Sequence, residues 1–533
     1  MKGIGGYHLA CDARNVDAVR ALRERKFRKE KPFAVMVRTV DIARTLVDLN
    51  AEAQRLLTSP ARPIVLAAKR VELAEVAPDN RELGLMLPYA PLHHLLFDAG
   101  APDVLVMTSA NRSSEPIAYR DDEARDRLSG IADAFLIGER PIARRVDDSV
   151  ARVGAYGPAI VRRSRGYAPG AVATLAASGP ILAVGADLKN TITLVAGGQA
   201  FVSQHIGDLD DYESRQAFAE TIRDLLDMYE VDPDELVVAH DAHPEYASTI
   251  HALGLRAFRK CAVQHHRAHI ASVLAERGAL EQRVIGVSFD GTGYGDDGTI
   301  WGGEFFAGSV MDGFERVAHL HKAMLPGGDA AARNPMQCAA GFLSQMEDVP
   351  DLAAAPFGFT DRYRQSLQLV EKRLRAFETT SMGRLFDAAA ALLGFTREIS
   401  FEGQAAMWLE YRARESQTRD CYPFPDLDYR PLLAAVIEDR RRGRPVEEIA
   451  RAFQRAIAEG MCRTARVLSE KHGVDTVVLS GGVFQKELLL EDVKGLIGLR
   501  AWTNAAVPPN DGGISLGQAA LSACVEISIP PSR

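Results

Sequence analysis

The sequence predicts an α/β protein of more than one domain, and three observations lead to this class. Short apolar runs alternate with segments of helical periodicity, which is the pattern of sheets covered by helices. An apolar run, a turn rich in glycine and acidic residues, and a returning apolar run occur together at 180–196 and again at 283–306. Such a weak internal repeat is typical of a duplicated, two-lobed fold. The length of 533 residues exceeds one compact core and suggests about two to four domains.

The first part of the chain has the features of an α/β or α+β domain. Residues 16–28 have helical periodicity and a basic character. Two apolar runs, 32–37 and 63–68, are expected to be strands, and the segment 104–116 is expected to be a third strand that runs into a turn rich in serine and asparagine. The stretch 172–179 is made of small residues and resembles a linker. We therefore expect a first domain at 1–171 and a second domain at 180–533.

Four polar residues of the first domain have the chemistry of a phosphate site. Lys26 and Arg28 end the basic helix, while Ser109 and Asn111 lie in the turn after the third predicted strand. Cations supply charge for a phosphate, and a hydroxyl and an amide orient it. The same residues fit a solvated helix end and an asparagine turn equally well, so composition alone leaves both interpretations open.

Three histidines stand at the head of a predicted helix that ends at Gly278. On a helix, His265 and His269 are one turn apart on one face, with Cβ atoms about 5–6 Å apart. The apolar run that follows the helix places Asp290 in a glycine-rich turn. Two imidazoles and a carboxylate suit iron or zinc better than magnesium. The spacing alone also fits solvated histidines at a polar helix start.

The last third of the chain combines helices with a second glycine turn. Residues 335–395 and 407–473 are predominantly of helical periodicity. An apolar strand then leads into Gly481-Gly482 and a further helix. Taken alone, the glycine pair fits an ordinary tight turn better, although the same arrangement lets the backbone approach a phosphate. Asp511 precedes the final helix, where an ordinary N-cap is the simpler interpretation.

Composition excludes several classes of protein. The net charge of −8 gives no argument for nucleic-acid binding by the whole chain, and we expect no DNA partner. No apolar run approaches the roughly 20 residues that cross a bilayer, and the N-terminal residues lack the apolar core of a signal peptide. The six cysteines are scattered without a CxxC pair, as in a cytoplasmic protein with reduced thiols.

Several of these segments resemble known families. Lys26-Phe27-Arg28 with Lys31-Pro32, together with the run from Thr108 to Asn111, resemble the K-x-R and S-x-N signatures of YrdC/Sua-type domains. The segments 263–269 (VQHHRAH), 185–191 (GADLKNT) and 480–486 (SGGVFQK) resemble the TsaD-type branch of the actin/Hsp70-like ATPase fold. This domain order is similar to the HypF carbamoyltransferase family of [NiFe]-hydrogenase maturation. Tobramycin carbamoyltransferase resembles the chain second, since it carries similar domains in reverse order.

The resemblance implies a fold, an activity and a set of roles. It implies an α+β YrdC-like domain followed by a two-lobed TsaD-like domain with helical insertions. Such an enzyme activates carbamoyl phosphate with ATP as a carbamoyl-adenylate and passes the carbamoyl group to the C-terminal cysteine of HypE. Lys26, Arg28, Ser109 and Asn111 would hold phosphate and ATP, with magnesium accompanying the nucleotide. The metal ligands for iron or zinc would be His265, His269, Asp290 and Asp511. The nucleotide cleft would be lined by Asp187, Lys189, Glu402, Gly403, Ser480, Gly481 and Gly482.

The chain departs from the family at three points. HypF proteins usually begin with an acylphosphatase-like domain and a pair of zinc-finger motifs, which this sequence does not contain, so we expect it to be either a fragment or an unusually short member of the family. The first strand of the YrdC-like part is also expected to be missing, and Lys486 stands where the Ser-Gly-Gly motif usually ends in asparagine. A tRNA threonylcarbamoyl-transferring fusion and a non-catalytic binding module remain as alternatives.

Overall fold

The computed structural model, which describes residues 1–111 and 115–527, has the predicted mixed α/β architecture. It divides into two compact units, one of Met1–Cys261 with Ala505–Arg533 and the other of Ala262–Asn504. The predicted boundary at 171–180 falls inside the first unit. None of the helices in the described ranges is long and apolar enough to cross a membrane.

The first unit begins with a seven-stranded mixed sheet of order β1-β5-β2-β4-β3-β6-β7. Its strands are β1 (His8–Asp12), β2 (Ala34–Val37), β3 (Ile64–Ala68), β4 (Glu82–Met86), β5 (Val104–Ser109), β6 (Val150–Gly154) and β7 (Gly157–Arg162). Its helices are α1 (Val16–Arg25), α2 (Val40–Leu46), α3 (Ala51–Thr58), α4 (Pro91–Asp98) and α5 (Asp121–Leu128). The three predicted strands are confirmed, whereas β1 was not predicted; it pairs antiparallel with β5.

Both faces of this sheet are buried, because successive side chains of a strand point to opposite faces. Val35 and Val37 belong to one apolar cluster, while Met36 between them belongs to a second cluster. On β5, Val106 packs in the first cluster and Met107 in the second. The continuous apolar runs of the sequence thus encode strands covered on two sides.

A second sheet of the first unit has the order β13-β12-β9-β10-β11-β8. Its strands are β8 (Ala171–Thr174), β9 (Ile181–Ala183), β10 (Thr193–Ala196), β11 (Gln199–Val202), β12 (Val237–Asp241) and β13 (Arg259–Val263), accompanied by α6 (Tyr212–Met228) and α7 (Ala247–Gly254). The linker-like stretch therefore begins with an edge strand, β8, that pairs with β11.

The second unit is built on a third mixed sheet, in which β14 and β19 are neighbouring parallel strands. Its strands are β14 (Val284–Tyr294), β15 (Ile300–Ser309), β16 (Gly313–His319), β17 (Ala323–Pro326), β18 (Ala376–Thr379), β19 (Thr476–Ser480) and β20 (Arg500–Thr503). Its helices are α8 (His265–Glu276), α9 (Asp329–Arg333), α10 (Pro335–Leu343), α11 (Asp361–Glu371), α12 (Met382–Leu392), α13 (Gln404–Arg414), α14 (Tyr429–Arg441), α15 (Val446–His472) and α16 (Glu487–Leu496). The predicted helical segments are confirmed. The last helix, α17 (Ile514–Ile527), belongs to the first unit.

Candidate metal centre and phosphate site

Helix α8 holds two histidines of the predicted metal site on one face. The side chain of Gln264 caps the helix by accepting the backbone N–H of Arg267 at 3.0 Å, so the helix begins at His265. His265 and His269 are both fully buried, and their rings meet edge to face with centroids 5.1 Å apart. The helix therefore presents two imidazoles to one point, as the spacing predicted.

Asp290 brings a carboxylate to the same point. Its Oδ2 lies 3.4 Å from His265 Nε2 and 3.0 Å from His269 Nε2. The pairing of β14 with β15 is interrupted between Phe289 and Gly293, which frees this stretch from the ladder. The ligand atoms of the three residues lie within 4.8 Å of one another.

The other carboxylate oxygen of Asp290 is held by backbone amides. Oδ1 accepts the N–H of Gly291 at 2.8 Å and the N–H of Gly482 at 3.1 Å. Burial alone raises the pKa of Asp290, but hydrogen bonds from His265 and His269 outweigh it and hold the pKa well below its usual range. The carboxyl group is thus kept as an anion, the form that binds a metal.

The donor set fits a transition metal. Two imidazole nitrogens and one carboxylate oxygen converge in a buried place, and iron and zinc accept these donors with positions left open. The neighbouring His266 is turned elsewhere: its Nδ1 lies 3.1 Å from Gln264 Nε2, and its ring lies 6.0 Å from that of Trp301. Burial, and next the proximity of His265, keep the pKa of His266 well below its usual value.

The glycine turn after β19 joins this centre through its backbone. Gly481 has φ +104°, and a Cβ at that position would clash with the carbonyl oxygen of Phe289. Ser480 donates to Asn504 Oδ1 at 2.7 Å, and Asn504 in turn donates to Ser272 Oγ on helix α8 at 2.9 Å. A buried hydrogen-bond chain therefore fixes the turn against the helix that carries the histidines.

Two further residues of the second unit that are predicted to bind the nucleotide lie immediately before α13. Gly403, with φ +73°, immediately precedes this helix, and Glu402 lies before it. Burial raises the pKa of Asp387, and the nearby negative charge of Glu402 also raises it. Lys486 is buried and donates to the carbonyl of Ala406. The lysine that replaces the expected asparagine is therefore hydrogen-bonded to a backbone carbonyl in the first turn of α13.

Asp187, Lys189 and Asp511 lie in the first unit. The Asp187 carboxylate accepts the backbone N–H groups of Ala247 and Ser248 at 2.8 and 2.9 Å, so it caps α7. Lys189 has φ +45°, and its N–H donates to Asp208 at 2.8 Å.

Asp511 opens the short turn before α17. The cap of that turn is Asn510, whose Oδ1 accepts the N–H of Gly512 at 3.0 Å. Asn510 is therefore the N-cap of this turn, and Asp511 is the first residue inside it.

The structure brings Lys26, Ser109 and Asn111 together, as the phosphate-site hypothesis requires. Lys26 is 1% exposed, and its Nζ donates to the backbone oxygens of Ser109 and Asn111 at 2.8 and 2.7 Å and to Asn111 Oδ1. Ser109 Oγ also donates to Asn111 Oδ1, at 3.1 Å. Burial, with a smaller contribution from Arg28, lowers the pKa of Lys26 to about 7.

The guanidinium of Arg28 is hydrogen-bonded to backbone carbonyls of the loop that follows it. Its guanidinium donates to the carbonyls of Lys31 and Pro32 at 3.1 and 2.6 Å and lies 5.1 Å from the Phe33 ring centroid. Burial, followed by the nearby charges of Arg23 and Arg162, lowers its pKa to about 9. Arg28 therefore shapes the loop that follows Lys26.

A further polar cluster of the first sheet was missed by the sequence analysis. His8 Nε2 lies 2.9 Å from Asp148 Oδ2, and Arg165 Nε donates to Asp148 Oδ1 at 2.8 Å. No spacing rule could have found it, because 140 residues separate His8 from Asp148.

These features define the class of protein, an α/β protein with a buried polar cluster in each of its two units. The family model described as "Carbamoyltransferase, Kae1-like Domain, second subdomain" matches residues 286–518, and the model described as "HypF Kae1-like domain" matches residues 176–276. The Sua5/YciO/YrdC model, described as "Telomere recombination", matches residues 1–164. The chain is therefore a carbamoyltransferase, and it belongs to the HypF family.

Relatives and solved structures agree with this assignment. Carbamoyltransferase HypF2 of Cupriavidus necator is 42% identical, over 97% of this chain and 70% of that protein. Carbamoyltransferase HypF of Rhodobacter capsulatus is 41% identical, over 98% of this chain and 71% of that protein. The crystal structure of full-length HypF in its phosphate- and nucleotide-bound form is 40% identical, with a TM-score of 0.93 over 98% of this chain and 70% of that one.

Proposed function

We propose that the protein activates the carbamoyl group of carbamoyl phosphate with ATP and transfers it to the C-terminal cysteine of a HypE-type acceptor. The observation that carries this proposal is the presence of two distinct polar centres. One is the Lys26 cluster in the part that matches the Sua5/YciO/YrdC model, and the other is the His265–His269–Asp290 cluster in the second unit.

The first step belongs to the Lys26 centre. Water first hydrolyses carbamoyl phosphate to carbamate and inorganic phosphate. A carbamate oxygen then attacks the α-phosphorus of ATP, and pyrophosphate leaves with the P–O bonding electrons. Lys26 supplies a positive charge for the phosphates, and Ser109 and Asn111 orient them. Arg28 holds the loop in place. Magnesium accompanies ATP, as in other nucleotidyl-transfer reactions.

The second step belongs to the histidine centre. The acceptor thiolate attacks the carbamoyl carbon, and AMP leaves with the electrons of the C–O bond. Iron or zinc, when bound by His265, His269 and Asp290, supplies Lewis acidity toward the carbamoyl oxygen. Three protein ligands leave such an ion incompletely coordinated, and we assign the fourth position to Asp511. We assign the nucleotide contacts to Asp187, Lys189, Glu402, Gly403 and the turn at 480–482.

The alternatives differ in the acceptor. A tobramycin-type enzyme transfers the group to a hydroxyl of a small molecule, and a threonylcarbamoyl-transferring fusion acts on tRNA. The family assignment favours a protein acceptor in hydrogenase maturation. The net charge of −8 also disfavours tRNA. A cytoplasmic location stays a prediction.

The acceptor is tested by radiolabel transfer. The protein is incubated with ATP, magnesium and [14C]carbamoyl phosphate, together with HypE, with HypE lacking its C-terminal cysteine, with tRNA or with tobramycin. We expect label on intact HypE alone. Label on tRNA or tobramycin, with none on HypE, would assign the chain to one of the alternatives.

A further inference from the structure

Three buried polar side chains join the glycine turn after β19 to helix α8. Ser480 Oγ donates to Asn504 Oδ1 at 2.7 Å, and Asn504 Nδ2 donates to Ser272 Oγ at 2.9 Å. Ser480, Asn504 and Ser272 are 0%, 2% and 0% exposed, so water does not compete for these bonds. Because the desolvation of buried polar groups offsets much of what their hydrogen bonds contribute, the main effect of such a chain is a fixed geometry.

The chain ends on the backbone of a predicted metal ligand. Ser272 Oγ donates to the carbonyl oxygen of His269, one turn earlier on α8, at 2.7 Å. A serine that bonds back to its own helix is common. Ser272 differs from such a serine because its oxygen also accepts from Asn504, which directly follows β20. The backbone of His269 is therefore tied to a residue outside its helix.

The same glycine turn reaches the metal centre by a second route. The backbone N–H of Gly482 donates to Asp290 Oδ1 at 3.1 Å, and Asp290 Oδ2 lies 3.0 Å from His269 Nε2. The contacts thus form a closed ring within the second unit, and its members are, in order, His269, Ser272, Asn504, Ser480, Gly482 and Asp290. A displacement of the turn is therefore passed both to the carboxylate and to the imidazole of the centre.

Asn504 is the link between the turn and the helix. Its amide oxygen accepts from Ser480, and its NH2 group donates to Ser272. Few side chains of this size accept through one atom and donate through another: an aspartate carboxylate accepts at both ends, and leucine does neither. Loss of Asn504 therefore opens the ring between the turn and α8, while the contact of Gly482 with Asp290 remains.

We propose that Asn504 is a positioning residue of the metal centre, through which helix α8 and the glycine turn respond together when a nucleotide binds. This role rests on the proposed function, which assigns a metal ion to His265, His269 and Asp290 and nucleotide contacts to the turn. A nucleotide held by the turn orders the Asp290 carboxylate through Gly482 and the His269 imidazole through Asn504. Ligands that are already ordered lose less entropy when the metal binds, so the nucleotide raises the metal affinity.

The test measures the coupling between metal and nucleotide with Co2+ and AMP. Co2+ accepts the same nitrogen and oxygen donors as iron and zinc, and its visible absorption reports binding. The metal-free protein is titrated with Co2+ in the absence and in the presence of saturating AMP. For the wild type we expect AMP to raise the Co2+ affinity about fivefold or more, the lower end of the range for coupled sites. In Asn504→Leu and in Ser272→Ala this factor should fall to about twofold or less, because only the route through Asp290 remains.

Gln454→Leu is the matched control for Asn504→Leu. Gln454 is a fully buried amide on α15 in the same unit, and its Nε2 donates to the carbonyl oxygen of Leu409, which lies outside the ring, at 3.3 Å. The substitution removes a buried amide of the second unit but leaves the ring closed. The effect of AMP on the Co2+ affinity should therefore keep its wild-type size.

Other results would overturn the inference. If Asn504→Leu and Ser272→Ala weaken Co2+ binding equally with and without AMP, the chain of hydrogen bonds only stabilises the fold. An undiminished AMP effect in both variants, or an equal loss of the effect in Gln454→Leu, would also contradict the coupling. The wild type and His265→Ala separate this inference from the proposed function. Co2+ binding that requires His265 but does not respond to AMP overturns the coupling alone, whereas Co2+ binding that His265→Ala leaves unchanged overturns the metal centre of the proposed function and the coupling together.

Discussion

His269 Nε2 lies 3.0 Å from Asp290 Oδ2, which ties helix α8 to the freed stretch of strand β14. The second oxygen of the same carboxylate accepts the N–H of Gly482 at 3.1 Å. One aspartate therefore connects the helix that carries the imidazoles with the glycine turn after β19. A substitution in the helix, in the aspartate or in the glycine turn should therefore change the metal affinity of the centre.

Removal of either imidazole should remove the metal. We expect His265→Ala and His269→Ala to lower metal affinity by more than about 100-fold, because loss of a ligand exceeds the effect of losing an outer partner. His266→Ala is the control, since its ring points toward Gln264 and Trp301. Metal content after dialysis, measured by plasma mass spectrometry, checks this. Loss of metal from His266→Ala but not from His265→Ala would reverse the ligand assignment.

A methyl group at Gly482 should disturb the same centre through the backbone. A Cβ there would lie 2.8 Å from Asp290 Oδ1, inside normal contact distance, so the carboxylate must move. We expect Gly482→Ala to lower metal affinity about 10–100-fold. The control is Gly495→Ala on α16, where a Cβ has open space; there alanine should stabilise the helix by about 0.5–1 kcal/mol. Equal metal affinity in both variants would contradict the coupling.

The phosphate site should be separable from the metal centre. We expect Lys26→Ala and Asn111→Ala to abolish exchange of pyrophosphate into ATP while the metal content stays at the wild-type level. The reason is that both residues belong to the part matching the Sua5/YciO/YrdC model, whereas the histidines lie in the second unit. Parallel exchange assays and metal analysis check this, and metal loss in either variant would show that the two centres depend on each other.

ATP binding should take up a proton above neutral pH. Burial lowers the pKa of Lys26 to about 7, so at pH 8 most of the free protein has a neutral amine, and only the charged form attracts phosphate. Affinity should therefore fall as the pH rises through 7. Calorimetry at pH 8 in buffers of different ionisation enthalpy should give an uptake of about one proton for the wild type. Lys26→Met should show none; equal uptake in both would assign the proton to another group.

Local patterns predicted the local parts of the site. The four-residue interval between His265 and His269 predicted a shared helix face, and the apolar run before Asp290 predicted a strand that delivers a carboxylate. Both are confirmed by the geometry. These predictions succeed because helix and strand periodicities are properties of neighbouring residues.

Contacts between distant residues could not be predicted in the same way. The pairing of His8 with Asp148 depends on how β1 enters the sheet, and this strand follows a glycine turn that gave no strand signal. The hydrogen bonds from Ala247 and Ser248 to Asp187 could not be predicted either, because the position of α7 depends on the packing of the second sheet. Such contacts depend on the tertiary structure, and no short sequence pattern specifies them.

The measurement that tests the central claim most directly is incorporation of [32P]pyrophosphate into ATP by the purified wild-type protein. With carbamoyl phosphate and magnesium present, we predict exchange that disappears when carbamoyl phosphate is omitted, since formation of a carbamoyl-adenylate is the step that releases pyrophosphate reversibly. Exchange that does not depend on carbamoyl phosphate, or no exchange by a protein that binds both ATP and carbamoyl phosphate, would contradict the account.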